Sequence, residues 1–114
     1  MTVNNNIENV YRIIAVDFDG TLSAGEYPNI IPNWKIIAKA KLERWSGARL
    51  ILWTCREGKD LKEAVDACHS WGLEFDAINE NIEEAKSLWG NDTRKVGATE
   101  VWDDRAINVK DLKI

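Results

Sequence analysis

The chain has 114 residues, of which 45% are apolar and 30% charged, and a formal net charge of −4. That length supports one domain with one core and one site, and the ordinary composition excludes a chain that is disordered throughout. Lys39, Lys41 and Arg44 are spread along one helical segment with Glu43 among them, so no basic run exists and nucleic acid is not indicated as a partner. No apolar stretch approaches the roughly 20 residues needed to span a bilayer. Cys55 and Cys68 are the only cysteines and no charged-then-apolar signal segment opens the chain, which reads as cytoplasmic with reduced thiols.

Residues 1–9, with three consecutive Asn, form a polar lead-in to a single domain over 1–114. The first strand follows at 12–16 and runs into Asp17-Phe18-Asp19-Gly20-Thr21-Leu22. Successive strand residues point to opposite faces, so Asp17 and Asp19 share a face if the strand continues, and Gly20 permits a sharp turn just beyond. Two such carboxylates repel unless a cation or a proton lies between them. A hard divalent cation such as Mg²⁺ suits them; an Asp-rich turn accounts equally well for this segment alone.

The first helix starts near Asn33 as N-cap and stops at Gly47, with Trp34, Ile37, Ala38, Leu42 and Trp45 on its core side. A second strand spans 48–54. The second helix starts at Asp60, with Glu63 completing a capping box, and ends at Gly72; its apolar stripe is Leu61, Ala64, Val65 and Cys68. A short third strand is centred on 74–78, and a third helix opens with the pair Asn81 and Glu84 and runs to about Trp89. The fourth strand covers 98–103. Near-continuous apolar runs suit buried parallel strands. Strict strand–helix alternation predicts a three-layer α/β domain, a Rossmann-like parallel sheet with helices on both faces.

Ligands of such sheets bind beyond the carboxyl ends of the strands. There the sequence places Asp17 and Asp19, then Thr54 and Arg56, then Asn79, Glu80 and Asn81, then Asp103 and Asp104. Two carboxylate pairs facing each other across one rim favour metal-assisted phosphoryl chemistry over unrelated surface turns.

From about Tyr11 to Arg105 the chain resembles the haloacid dehalogenase superfamily in its phosphatase form. Asp17-Phe18-Asp19-Gly20-Thr21-Leu22 is similar to that family's first motif, residues 50–54 ending in Thr54 to its second, and Val101-Trp102-Asp103-Asp104 to its fourth. The resemblance implies strand order 3-2-1-4 and Mg²⁺-dependent hydrolysis of a phosphomonoester. Asp17 would be the nucleophile, forming an aspartyl-phosphate, and Asp19 would protonate the leaving oxygen and then deprotonate the attacking water. Mg²⁺ would be held by Asp17, the backbone carbonyl of Asp19, Asp103 and Asp104. Thr54, Arg56 and Gly20 make the implied phosphate-binding set, Arg56 through a bidentate contact.

The family's third motif supplies a basic residue. Lys95 lies eight residues before Asp103, about 26 Å away in a chain extended at roughly 3.3 Å per residue, which would put it at the wrong end of the sheet. Lys86, in the first turns of the third helix, is therefore the preferred catalytic cation, with Arg56 as a substitute. Many relatives carry a cap domain, whereas here only residues 23–32 separate the first strand from the first helix. A site without a cap is open; that suits a bulky or macromolecular phosphorylated substrate, or a homo-oligomer in which a neighbouring subunit is the lid.

Two alternatives are a receiver-like phospho-accepting signalling domain and a metal- and phosphate-binding module of the same fold without turnover. Receivers carry the phospho-acceptor at the end of the third strand, where this chain has Asp76 inside the strand. Cys55 next to Thr54 has no imidazole partner, since His69, the sole histidine, shares a helix with core-facing Cys68. Of the six tryptophans, Trp34, Trp45, Trp53 and Trp102 fall on expected core positions, and Trp71 and Trp89 on a contact surface.

Overall fold

Ile13–Val16 forms the first strand, β1, with all four side chains buried. A run without a polar residue on either face belongs inside a three-layer structure. The structure, a computed structural model, describes residues 11–114, so the polar lead-in at 1–9 lies outside the described residues. After β1 come α1 (Trp34–Trp45), β2 (Arg49–Leu52), α2 (Gly58–Ser70), β3 (Ala77–Ile78), α3 (Glu83–Trp89) and β4 (Glu100–Trp102). The four strands are parallel in the order β3-β2-β1-β4, as expected.

Alternation along the strands sorts the core into two layers. Ile14, Val16, Leu50 and Leu52 pack with Ile37 and Ala40 of α1 and Ala64 and Cys68 of α2. Ile13, Ala15, Ile51 and Ala77 form the opposite layer with Ile82 and, from α3, Ala85. Fully burying each such Leu or Ile is worth about 1.5–3 kcal/mol, so truncating Leu52 or Ile51 would cost more than any surface pair. Among the described residues, no helix is long and apolar enough to cross a membrane.

The α2 stripe of Leu61, Ala64, Val65 and Cys68 packs as expected, but the α1 face differs. α1 buries Ile37 and Ala40, while Trp34, Ala38, Leu42 and Trp45 are exposed. Small Ala40 lets the helix backbone approach the sheet, which a row of Leu and Trp would hold off. Trp34 instead meets Trp71 edge-on, and Trp71, expected on a contact surface, stacks on Phe18 with ring centroids 6.2 Å apart. Trp89, too, packs against a core layer.

Two capping expectations also fail. α2 starts at Gly58, before Asp60, and α3 starts at Glu83, with no side-chain cap on either. Asn81 is buried, and its amide bonds Asp92, Thr93 and the Gly97 N–H, pinning the loop that leads to β4. Asn33 does precede α1, yet its side chain donates to the Thr21 carbonyl, tying the helix to the segment after β1.

Candidate functional site

Strand register assembles the site. Val16 lies beside Trp102, and the Asp17 N–H donates to the Trp102 carbonyl at 2.9 Å. The chain therefore leaves β1 and β4 side by side, with Asp17 next to Asp103. Asp17, Asp103 and Asp104 each offer a carboxylate oxygen within 4.8 Å of the others. Among the described residues, no Lys or Arg nitrogen comes within 4.0 Å of any of the three. Burial, the largest cause, raises the Asp17 pKa from 3.8 to about 6; the Phe18 N–H opposes this, and the charges of Asp103 and Asp104 add to it.

The backbone shapes this pocket closely. Gly20 has φ +84°, and a Cβ built on it would run into the Asp104 carboxylate. Any other residue there would be strained and would displace Asp104. The structure thus gives Gly20 a clearance role beside Asp104. Asp103 accepts bonds from the Arg105 and Ala106 N–H groups, which hold the acidic turn. The Thr21 hydroxyl is buried without a partner and lines a recess of about 350 Å³ with Gly20, Asn33, Asp103 and Asp104. An oxygen-only donor set, crowded with negative charge and lacking a protein cation, fits a hard divalent ion such as Mg²⁺.

Asp19 is treated differently. Its two carboxylate oxygens are held by Arg56, Nε to Oδ2 and Nη2 to Oδ1, both at 2.8 Å. The Arg56 side chain is 1% exposed and lies over the rings of Phe18 and Tyr27, 5.0 and 4.9 Å from their centroids. Its other bonds go to the carbonyls of Pro28 and Asp60. Instead of the phosphate the resemblance implies, Arg56 directs four of its N–H groups to Asp19 and to two backbone carbonyls in this structure.

Thr54 ends the segment after β2, as its expected role requires. Its hydroxyl accepts from the Arg56 N–H and its own N–H is bonded by the Asn79 side chain, so the hydroxyl proton remains to donate. Asn79, which the sequence placed at the rim, supports this segment. It stands at φ +54°, a conformation Asn tolerates, and also reaches the Arg56 carbonyl.

The lysines do not join this group. Lys86 Nζ is held by Glu80 at 3.0 Å and Glu83 at 3.2 Å, just after edge strand β3, which two strands separate from β4 and Asp103. Lys95 is exposed in the loop that Asn81 pins. Strand begins only at Glu100, so the extended-chain separation used to set Lys95 aside does not describe its path. Asp76 precedes β3 and bonds the Leu50 N–H and Arg44, which leaves a receiver-like acceptor position empty of carboxylate. Cys68 is buried with its thiol pKa pushed up to about 12 by burial, and His69 is exposed and bonded to Glu74.

No family model and no curated protein matches the chain. Among solved structures it is similar to a conserved protein coded by a locus of Bacteroides thetaiotaomicron, with 39% sequence identity and a TM-score of 0.74. The similarity covers 91% of this chain and 83% of that one. The chain belongs to the family of that conserved protein; the likeness carries the fold and the family, and no activity.

Proposed function

We propose that the chain is a Mg²⁺-dependent phosphomonoester hydrolase that works through an aspartyl-phosphate. The observation that carries this reading is the gathering of Asp17, Asp103 and Asp104 within 4.8 Å at the carboxyl ends of β1 and β4, with Asp19 two residues beyond the nucleophile. A single acidic turn explains one strand end. It does not explain two that converge without a compensating cation.

In this mechanism an Asp17 oxygen attacks phosphorus, the bond from phosphorus to the substrate oxygen breaks, and Asp19 gives its proton to the departing alcohol. Water then attacks the phosphorus of the aspartyl-phosphate while Asp19 takes back a proton, releasing phosphate and restoring Asp17. Asp17 is ionised for the most part at neutral pH, because its raised pKa of about 6 still lies below 7. Thr54 donates its hydroxyl proton to a phosphoryl oxygen. Asp17, Asp103, Asp104 and the Asp19 backbone carbonyl would hold Mg²⁺, which when bound would neutralise charge on the phosphoryl group. The test is Mg²⁺-dependent release of phosphate from an aryl phosphate, with Asp17→Asn as control. Activity that persists under chelation, or that survives in Asp17→Asn, contradicts the reading.

A further inference from the structure

Arg56 is a heavily engaged polar side chain at the rim, and the proposed chemistry does not use it directly. It bonds Asp19 twice, the Pro28 carbonyl of the 23–32 loop and the Asp60 carbonyl of α2, and it is clasped between Phe18 and Tyr27. Tyr27 in turn donates its hydroxyl to Asp60. One guanidinium therefore ties together the segment after β1, the loop over the site and the first turn of α2. Beside it lies a cavity of about 430 Å³ lined by Asp19, Tyr27, Cys55, Arg56, Glu57 and Asp60.

We propose that Arg56 is a positioning residue: it fixes the Asp19 carboxylate at the mouth of this cavity, where the leaving alcohol of the substrate sits. The inference rests on the phosphatase reading above. A carboxylate has two oxygens and about four lone-pair directions. Arg56 occupies one direction on each oxygen and leaves the others for proton exchange. A planar fork holding both oxygens removes rotation about the last bond of Asp19, which a lysine cannot do. Without the fork, Asp19 would sample orientations that miss the departing oxygen, and only substrates that need their leaving group protonated would suffer.

That selectivity is the test. An activated aryl phosphate leaves as a stable phenolate and needs no proton, whereas an alkyl phosphate leaves as an alkoxide unless it is protonated. In Arg56→Lys, kcat for the alkyl phosphate should fall by about 10²-fold or more with KM nearly constant, and the aryl phosphate rate should fall far less. Asp19→Asn should show the same bias, and adding Arg56→Lys to it should change little more, since both act on one event. Should Arg56→Lys fail to fold, Tyr27→Leu at an exposed position loosens the same guanidinium and should give the same bias at smaller size. Equal losses on both substrates, or a loss carried by KM, would overturn the inference and leave the phosphatase reading standing. A wild-type protein that hydrolyses neither substrate would overturn the phosphatase reading itself.

Discussion

The two ends of the same sheet handle charge in opposite ways. At the amino end Arg12, just before β1, bonds Glu43 and Glu100, and Arg49, which opens β2, bonds Asp76 and Glu84, with Arg44 also on Asp76. Carboxylates there meet guanidinium groups. At the carboxyl end Asp17, Asp103 and Asp104 crowd together without one, and only Asp19 has an arginine. The chain therefore possesses the residues and geometry to neutralise clustered acids, and applies them at the amino end of the sheet but not around the proposed nucleophile. Uncompensated repulsion is a stability cost that a bound cation removes, and its confinement to the ligand-binding end of a parallel sheet is what favours a functional explanation.

The comparison breaks most visibly at Asp17. Asp17→Asn keeps the side-chain shape and deletes the nucleophile, so turnover should fall by about 10³-fold or more, while the metal-free protein melts no lower than wild type. Residual turnover near wild type in a steady-state assay would remove Asp17 from the covalent role. At the other end Arg49→Ala should do the converse. Severing its partly solvated pairs with Asp76 and Glu84 should cost about 1–2 kcal/mol in a denaturant titration and leave turnover unchanged.

Acidity sharpens the contrast further. Arg49 holds the Glu84 carboxyl below its usual range, and Arg12 does so for Glu100, so these groups contribute stability above the ordinary carboxylate pKa and lose it as pH falls. Asp17 has the opposite sign. Its folded pKa of about 6 exceeds the ordinary 3.8, so the folded state binds the proton more tightly, and stability is lost as pH rises through that window. In metal-free protein the melting advantage of Asp17→Asn over wild type should therefore grow between pH 4 and 6 and then level off. An advantage independent of pH would contradict this origin. The smallest effect is expected for Lys86→Ala, which severs surface pairs with Glu80 and Glu83; a loss of about 10²-fold would instead place that ammonium at the phosphoryl group.

The parallel strands and the acidic rim were legible in the sequence because both follow from one-dimensional signals, whereas the strand order came from the family resemblance. Runs such as Ile13–Val16 are apolar on both faces, and strand ends in a parallel sheet share a rim. The α1 face was not legible because two apolar stripes interleave on it. Ile37 belongs to both, and only contact with the sheet selects Ala40 over Trp45. Asn81 carries a capping signature, yet its burial against residues 92–97 depends on a loop whose path no local pattern encodes. Arg56 is legible as a rim residue, but its pairing with Asp19 is not. A phosphate and the Asp19 carboxylate present the same fork to a guanidinium, and the choice between them lies in the approach of Phe18, Tyr27 and Pro28 from elsewhere in the chain.

Thermal melting with and without Mg²⁺ tests the central claim most directly. Wild type should gain stability on saturation with Mg²⁺, since a ligand that binds only the folded state stabilises it by mass action. Asp103→Asn should melt higher than wild type without metal, and should gain less from Mg²⁺. A wild-type midpoint unmoved by saturating Mg²⁺, together with an Asp103→Asn protein that melts like wild type, would show that the three carboxylates do not form a metal site.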